Sequence, residues 1–459
     1  MGKLIADKRF YKMVLAISIP IMIQNGITNF VNLLDNIMVG QIGTAEMSGV
    51  AIVNQIIFVF TLCVFGGCAG AGIFTAQYYG TGDMEGVRNT TRFKILICAG
   101  LLLVGWLIMG VWGDELISAF LHSDDVANVE LALRSGRQYL TISMIGLAPM
   151  AMVQVYASTL RETGETVVPM KAGAISVVIN LVLNYFLIFD HFGHKGMGVA
   201  GAATATVVAR FAEMIIIMRW THKHHDKAPY AKGMFRTFKI PAALSGRIVT
   251  KGLPLMFNEL LWSTGMSMLL QCYSLRGLEV VAAANITSVI SNVFNIVFIA
   301  LGDSIAIIVG QLLGKGLMEE AKDTDTKLIF FSTALCAVIG VILIILAPLF
   351  PELYNTEPEV KAMATIFIRV IGFCMPLHAF LHGTYFTLRS GGKTIITFLF
   401  DSLYMWGVSV LLAFWLCRFT SLNIVHIFFI VNFSEIIKAS IGFVLLKKGI
   451  WLNNIVRDI

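Results

Sequence analysis

Long apolar stretches alternate along the chain with short polar ones. A helix needs about 20 predominantly apolar residues to cross a bilayer. Runs of that kind occur near residues 12–39, 47–77, 93–113, 132–159, 167–189 and 198–220. Six more follow near 248–275, 281–313, 325–349, 361–388, 394–417 and 424–446. The pattern predicts an all-α polytopic membrane protein of twelve transmembrane helices.

Composition agrees. Of 459 residues, 57% are hydrophobic and 14% charged, against about 25% charged in soluble domains. A water-soluble fold is excluded, and 32 Phe with only 10 Pro fit no disordered or fibrous class. The net charge of +6 then points to basic loops beside a membrane, not to nucleic acid. The seven cysteines form no CxxC and lie in or beside apolar runs, so they are expected as small core residues. The opening MGKLIADKRFYK is basic, but the run after it is too long for a signal segment and contains Asp35. It is expected as a retained first helix.

Lysine and arginine are unevenly placed. The start, the even-to-odd loops and the end carry Lys3, Lys8, Arg9, Lys12, Arg88, Arg92, Lys94, Arg161, Lys171, Lys315, Lys322, Lys327, Arg389, Lys393, Lys447, Lys448 and Arg457. The opposite loops hold Lys195, Arg276, Lys361 and Arg418, with Asp114, Glu115, Asp124 and Asp125. The positive-inside rule therefore places both termini in the cytoplasm of a multi-pass cell (inner) membrane protein.

The stretch THKHHDKAPYAKGMFRTFKIPAALSGR is the one clear shift in composition. Around it the chain repeats. An offset of 234 pairs Pro20 with Pro254, Gly43 with Gly277, Gln77 with Gln311, Gly80 with Gly314 and Glu85 with Glu319. An offset of 228 pairs Leu160-Arg161-x-x-Gly164-x-Thr166 with Leu388-Arg389-x-x-Gly392-x-Thr394. The expected organisation is an N-lobe at 1–220, a cytoplasmic basic linker at 221–247 and a C-lobe at 248–459. Each lobe holds six spans, so the repeats run parallel around a central cavity, where transporters place substrate.

Enzyme chemistry lacks its residues. Gly391-Gly392-Lys393-Thr394 ends like a Walker A loop, but the first glycine falls at Thr387. There is no HExxH, zinc cluster or GxSxG. The His222-Lys223-His224-His225 run is expected as a solvated basic loop, with metal binding as the lesser alternative.

What remains is polar character inside the spans. In the first, Asn25, Thr28, Asn29, Asn32, Asp35 and Asn36 recur at helical spacing and form one stripe. Lipid offers these groups nothing, so they must face water or protein. A charged Asp at depth costs roughly 2.5–3.5 kcal/mol on insertion scales. Taking a proton or a cation lowers that cost and couples charge to conformation. Asn180 and Asn184 lie one turn apart in the fifth span, and Thr206 lies in the sixth. With Asp35 they suit a small hard cation or a proton. Thr204 and Thr206 are as well explained by bonds to their own helix backbone.

The second half has its own stripes. Glu259, Ser263, Ser267 and Gln271 share a face, as do Asn285, Ser288, Asn292 and Asn295. Glu259 takes the repeat position of Asn25, and His378 and His382 share a face of the tenth span. Asn25, Asn29, Asn32, Glu259, Asn285, Asn292, His378 and His382 are candidates for a substrate or second polar site. The roles of Asp303, Asp401, Glu435 and Lys438 stay open at this level. Arg210, Glu213 and Arg369 are expected in structural ion pairs.

These features together resemble the multidrug and toxic compound extrusion (MATE) family. The resemblance rests on Pro20, Asp35-x-x-x-Val39-Gly40-x-x-Gly43, Asn180-x-x-x-Asn184 followed by GVAGAATAT, and the paired Arg161-x-x-Gly164 and Arg389-x-x-Gly392 loops. It covers nearly the whole chain. It implies a cation-coupled antiporter for amphipathic, often cationic compounds. Asp35 matches the family's acidic first-span residue, and Asn180 and Thr206 match that residue's partners. Some members have Asp where this chain has Asn184. Members with an acidic C-lobe site place a glutamate where this chain has Trp262, one turn after Glu259, and their tenth-span acid has no counterpart here.

The expected function is thus a secondary active antiporter exporting drugs or toxic metabolites in exchange for H+ or Na+ by alternating access. It is expected as a monomer with no cofactor beyond the coupling ion. The proton is favoured, because the Glu259, His378 and His382 groups can titrate while the oxygen-ligand set is thin. The alternative is a lipid-linked oligosaccharide flippase of the same broad superfamily. Its pyrophosphate-binding cavity would need cationic residues that the spans supply sparsely, chiefly as Arg210 and Arg369.

Overall fold

A computed structural model of the chain describes residues 4–121, 126–190, 196–354 and 356–457, without the side chains of 31–33, 36 and 126. Asn32 and Asn36 of the polar stripe, and Lys3, Asp124, Asp125 and Lys195 of the loops, lie outside this description. Backbone groups in lipid find no water, so the apolar runs close their hydrogen bonds internally as helices. In order these are α1 (Lys8–Gly40), α2 (Thr44–Thr81), α3 (Met84–Ser118), α4 (Val126–Glu162), α5 (Val167–Ile188) and α6 (Val199–Lys223). They continue as α7 (Ala242–Ser274), α8 (Leu278–Gly314), α9 (Met318–Leu346), α10 (Pro358–Ser390), α11 (Thr394–Phe419) and α12 (Ile424–Lys447). Among the described residues there is no strand.

All twelve expected spans are helices, and several run past their apolar cores. The run 93–113 sits inside Met84–Ser118, whose amino end is capped by Asp83 accepting from the Glu85 and Gly86 amides. A polar residue stops an apolar run, but not the backbone ladder. Eleven of the helices are apolar enough to cross a membrane. The other, α7, is 33 residues long and carries Asn258, Glu259, Ser263, Thr264, Ser267 and Gln271. Proline lies inside α1, α4, α7 and α10, once in the same two helices of each repeat. Helix α11 is irregular: Leu399–Leu403 and Met405–Val410 are π-helical.

Packing divides the chain into two compact units. The N unit comprises Ile23–Thr75 and Asp83–Ile248; the C unit comprises Met1–Met22, Ala76–Gly82 and Val249–Ile459. This differs from a division at the linker. The start of α1 packs with the C unit because Val14 joins a core with Leu301, Ile305 and Val309. The Ser18 hydroxyl also meets that of Ser304 at 2.8 Å. The basic linker packs with the N unit. Arg88 and Arg92 of α3 donate to the Tyr230, Met234 and Gly233 carbonyls at 2.8–3.1 Å. His222 lies 2.9 Å from the Tyr156 hydroxyl and against the Phe235 ring. Lys94, counted with the basic loops in the sequence, is fully buried and paired with Glu162 at 2.5 Å.

In the C unit the end of α2 meets α8, α10 and the segment after α12. Gln77 is fully buried; its amide donates to the Ser390 and Asn453 carbonyls at 3.0 and 3.2 Å and accepts from the Ile455 amide at 2.8 Å. Asn454 donates to the Gly314 carbonyl at 2.8 Å, and Trp451 is buried beside Gly391. Repeat-related glycines make the approach possible. A Cβ on Gly80 would overlap the Gln311 carbonyl oxygen, and one on Gly314 would overlap that of Gln77. In the other repeated loop, Gly164 and Gly392 hold φ of 87° and 69°, which only glycine adopts freely. We expect Gly80→Ala and Gly314→Ala each to cost about 1–3 kcal/mol in thermal unfolding, since backbone cannot move aside as a side chain can. Gly100→Ala, in open space on α3, should be neutral or slightly stabilising.

Candidate functional site

Four of the predicted residues form one hydrogen-bonded string in the N unit. Asn184 on α5 donates from Nδ2 to Asp35 Oδ1 of α1 at 2.6 Å. The same Nδ2 donates to Asn180 Oδ1, one turn earlier, at 3.2 Å. Asn180 Nδ2 donates to Thr206 Oγ1 of α6 at 3.2 Å. Asn180 and Asn184 are buried; Asp35 and Thr206 are half-buried. Small residues before Thr206 (Gly201, Ala202, Ala203 and Ala205) are buried and let α5 and α6 approach closely. The two threonines divide their roles: Thr204 bonds back to the Ala200 carbonyl at 2.7 Å, while Thr206 reaches Asn180.

The string has one negative group and one spare acceptor. Both protons of the Asn184 amide are committed, but its buried Oδ1 has no hydrogen-bond partner among the described residues. Asp35 accepts on Oδ1 from a neutral donor. A proton on Asp35, or a cation shared between its carboxylate and Asn184 Oδ1, fits this arrangement. Occupancy alters the charge Asn184 bonds to, and charge-assisted bonds are roughly twice as strong as neutral ones. Arg210 is 3.1 Å from Glu213, the structural pair expected. Among the described residues no group of three or more His, Cys, Asp or Glu is placed to hold a metal ion.

The C unit holds a second network, around residues the sequence left without roles. Glu259 of α7 accepts from the Tyr385 hydroxyl at 3.2 Å. Asn258, beside it, donates to that hydroxyl at 3.4 Å and to Asp401 Oδ2 at 3.1 Å. Lys438 of α12 donates to Asp401 Oδ1 at 2.6 Å. Ser402 bonds Asn258 Oδ1 at 2.7 Å. His378 and His382 separate: His378 lies 3.3 Å from Glu435 of α12, and the His382 ring packs against Phe298, Tyr385 and Phe386. Asn285 and Asn292 are exposed on α8, Asn29 is exposed on α1, and Asn25 is half-buried there.

Asn258, Tyr385 and Ser402 were missed because neither spacing nor charge singles them out. Asp401 and Lys438 were visible as intramembrane charges, which by default mark sites. Asp401 lies where α11 is π-helical, a distortion that recurs at functional sites.

Known proteins resemble this chain along almost its whole length. The MatE family model matches residues 20–186 and 254–417, two stretches that begin at the repeat-related Pro20 and Pro254. The probable multidrug resistance protein NorM of Thermotoga maritima is 24% identical over 455 residues, covering 96% of this chain and 93% of that protein. The multidrug resistance protein PmpM of Pseudomonas aeruginosa is 24% identical over 405 residues, covering 87% and 82%. A MOP superfamily transporter from Pyrococcus furiosus shares the fold with a TM-score of 0.86, at 19% identity, over 97% of this chain and 96% of that one.

Proposed function

The chain belongs to the MatE family, a family of membrane transporters and not of enzymes, and from that premise we propose that it exports amphipathic or cationic small molecules in exchange for H+ or Na+. The observation that carries this reading is the string Asp35–Asn184–Asn180–Thr206. It offers a single titratable or cation-binding charge inside a helix bundle, bonded to α5 through the Asn184 amide and linked on to α6 through that of Asn180. Loading Asp35 weakens its hold on Asn184 and favours whichever arrangement of helices tolerates the neutral form. An ion or a substrate shifts such an equilibrium only through its different affinity for the two states. The proton is favoured because it needs Asp35 alone, whereas the spare oxygens for Na+ are few: the Asn180 and Thr206 oxygens already accept hydrogen bonds.

The names of the relatives support drug-like substrates. The protein is expected to act as a monomer in the cell (inner) membrane with both termini cytoplasmic, surrounded by lipid. The flippase reading is disfavoured by the state of the cations in the spans. Buried Lys94 and Lys438 and half-buried Arg210 are each held by a carboxylate, which leaves chiefly Arg369, exposed on α10 and in no ion pair among the described residues, for a pyrophosphate.

Cells producing the chain should tolerate higher concentrations of amphipathic cations than cells without it. Proteoliposomes should show no flipping of a labelled lipid-linked oligosaccharide. Unchanged drug tolerance together with flipping would reverse the assignment.

A further inference from the structure

Lys438 occupies an environment made for a guest. Its ammonium donates to Asp401 Oδ1 at 2.6 Å and lies over the rings of Phe400 and Tyr404, 5.2 and 5.9 Å from their centroids. A carboxylate flanked by aromatic faces is the chemistry that recognises alkylammonium ligands. An ion pair needs only the carboxylate; the two rings exceed that need.

Two further features separate this from an ordinary buried pair. First, Asp401 does not depend on Lys438 for its position. Asn258 holds its other oxygen at 3.1 Å, and Ser402 holds Asn258 in turn at 2.7 Å. The carboxylate therefore remains oriented if the ammonium leaves. Second, the walls come from an irregular stretch of helix. Phe400, Asp401 and Tyr404 lie in and between the two π-helical stretches of α11, a distortion that recurs at functional sites. The side chains of Lys438 and Asp401 retain 10% and 16% exposure.

We propose that the Lys438 ammonium is a tethered surrogate ligand, filling an organic-ammonium subsite formed by Asp401, Phe400 and Tyr404 from which a cationic small molecule displaces it. The proposal rests on the cation-export reading above and specifies where in the C unit a cation is received. Displacement leaves the net charge of the subsite unchanged only if the lysine is taken up elsewhere. Glu435, one turn earlier on α12 and in contact with His378, is the acceptor in reach of the same helix face.

Chemical rescue in the full-length purified protein tests this. Lys438→Ala removes three methylenes and the ammonium, the outline of n-propylammonium. Its melting temperature should fall, then recover saturably with n-propylammonium but not with equal sodium. The Asp401→Asn/Lys438→Ala double variant should show no recovery. Lys438→Ala should also bind tetramethylammonium roughly tenfold more tightly than the wild type, its competitor being gone. Absence of recovery, or equal recovery in the double variant, would overturn the proposal. If Lys438→Ala does not fold, the wild type decides. Saturating tetramethylammonium should raise acylation of Lys438 severalfold, read by mass spectrometry, and an unchanged rate would overturn the proposal. None of these readouts measures transport. A chain that shows rescue but exports no cation keeps the subsite and loses the export reading.

Discussion

Asp35→Asn is expected to reduce ion-driven efflux from loaded vesicles to background while leaving the protein folded. The asparagine keeps the shape of the carboxylate and still presents an oxygen to Asn184 Nδ2, now 2.6 Å from Asp35 Oδ1. The bond changes from charge-assisted to neutral, a loss of about 1 kcal/mol, small beside the stability of a folded domain. What disappears is the group that gains and loses a proton or cation. Without it nothing ties ion entry to the arrangement of α1, α5 and α6. The measurement is release of a fluorescent organic cation, with melting temperature and gel-filtration profile as controls for folding. Efflux at the wild-type rate would remove Asp35 from the mechanism.

The second large effect lies in the C unit. Asp401→Asn leaves the Lys438 ammonium, only 10% exposed at its side chain, without its bonded counter-charge. Removing one partner of a buried ion pair costs about 3–5 kcal/mol, whereas replacing both by neutral groups of similar volume is often neutral or stabilising. Asp401→Asn should therefore unfold well below the wild type, and Asp401→Asn/Lys438→Met should recover most of the difference. The cycle also separates this pair from surface ion pairs, which contribute about 0–1 kcal/mol. Losses that simply add in the double variant would show that the two side chains do not act as a pair.

The fold was legible because the bilayer leaves few solutions. Apolar runs of sufficient length had to become helices, and all twelve did, with the repeated loops recognisable from residues such as Gly164 and Gly392, whose left-handed φ demands glycine. Helix ends were less legible. Asp83, the cap of α3, lies ten residues before the apolar run near 93. The division into units was not legible either. Ser18 and Gln77 sit in spans of the first repeat, yet their partners, Ser304, Ser390 and Ile455, come from the second. Nothing in local periodicity records such long-range pairing.

The N-unit site could be read because each member is polar in an otherwise apolar helix, and Asn180 and Asn184 share a face by spacing alone. The C-unit network could be read only in part. The i, i+4 spacing of His378 and His382 suggested a joint site, but each ring is captured by a different neighbour, Glu435 in one case and Phe298 in the other. Asn285 and Asn292 formed a stripe that in the structure faces outward from the packed core. A polar stripe shows that a helix face avoids lipid; it does not show which partners meet it.

The central claim is that an ion acting at Asp35 drives export, and one measurement bears on it most directly. Purified protein in vesicles loaded with a fluorescent organic cation is exposed separately to an inward proton gradient, an inward sodium gradient and no gradient. One of the two gradients should accelerate release by the wild type, the proton gradient on the present reading, and neither should accelerate release by Asp35→Asn. Equal release by the wild type under all three conditions, or acceleration that survives in Asp35→Asn, would contradict the account.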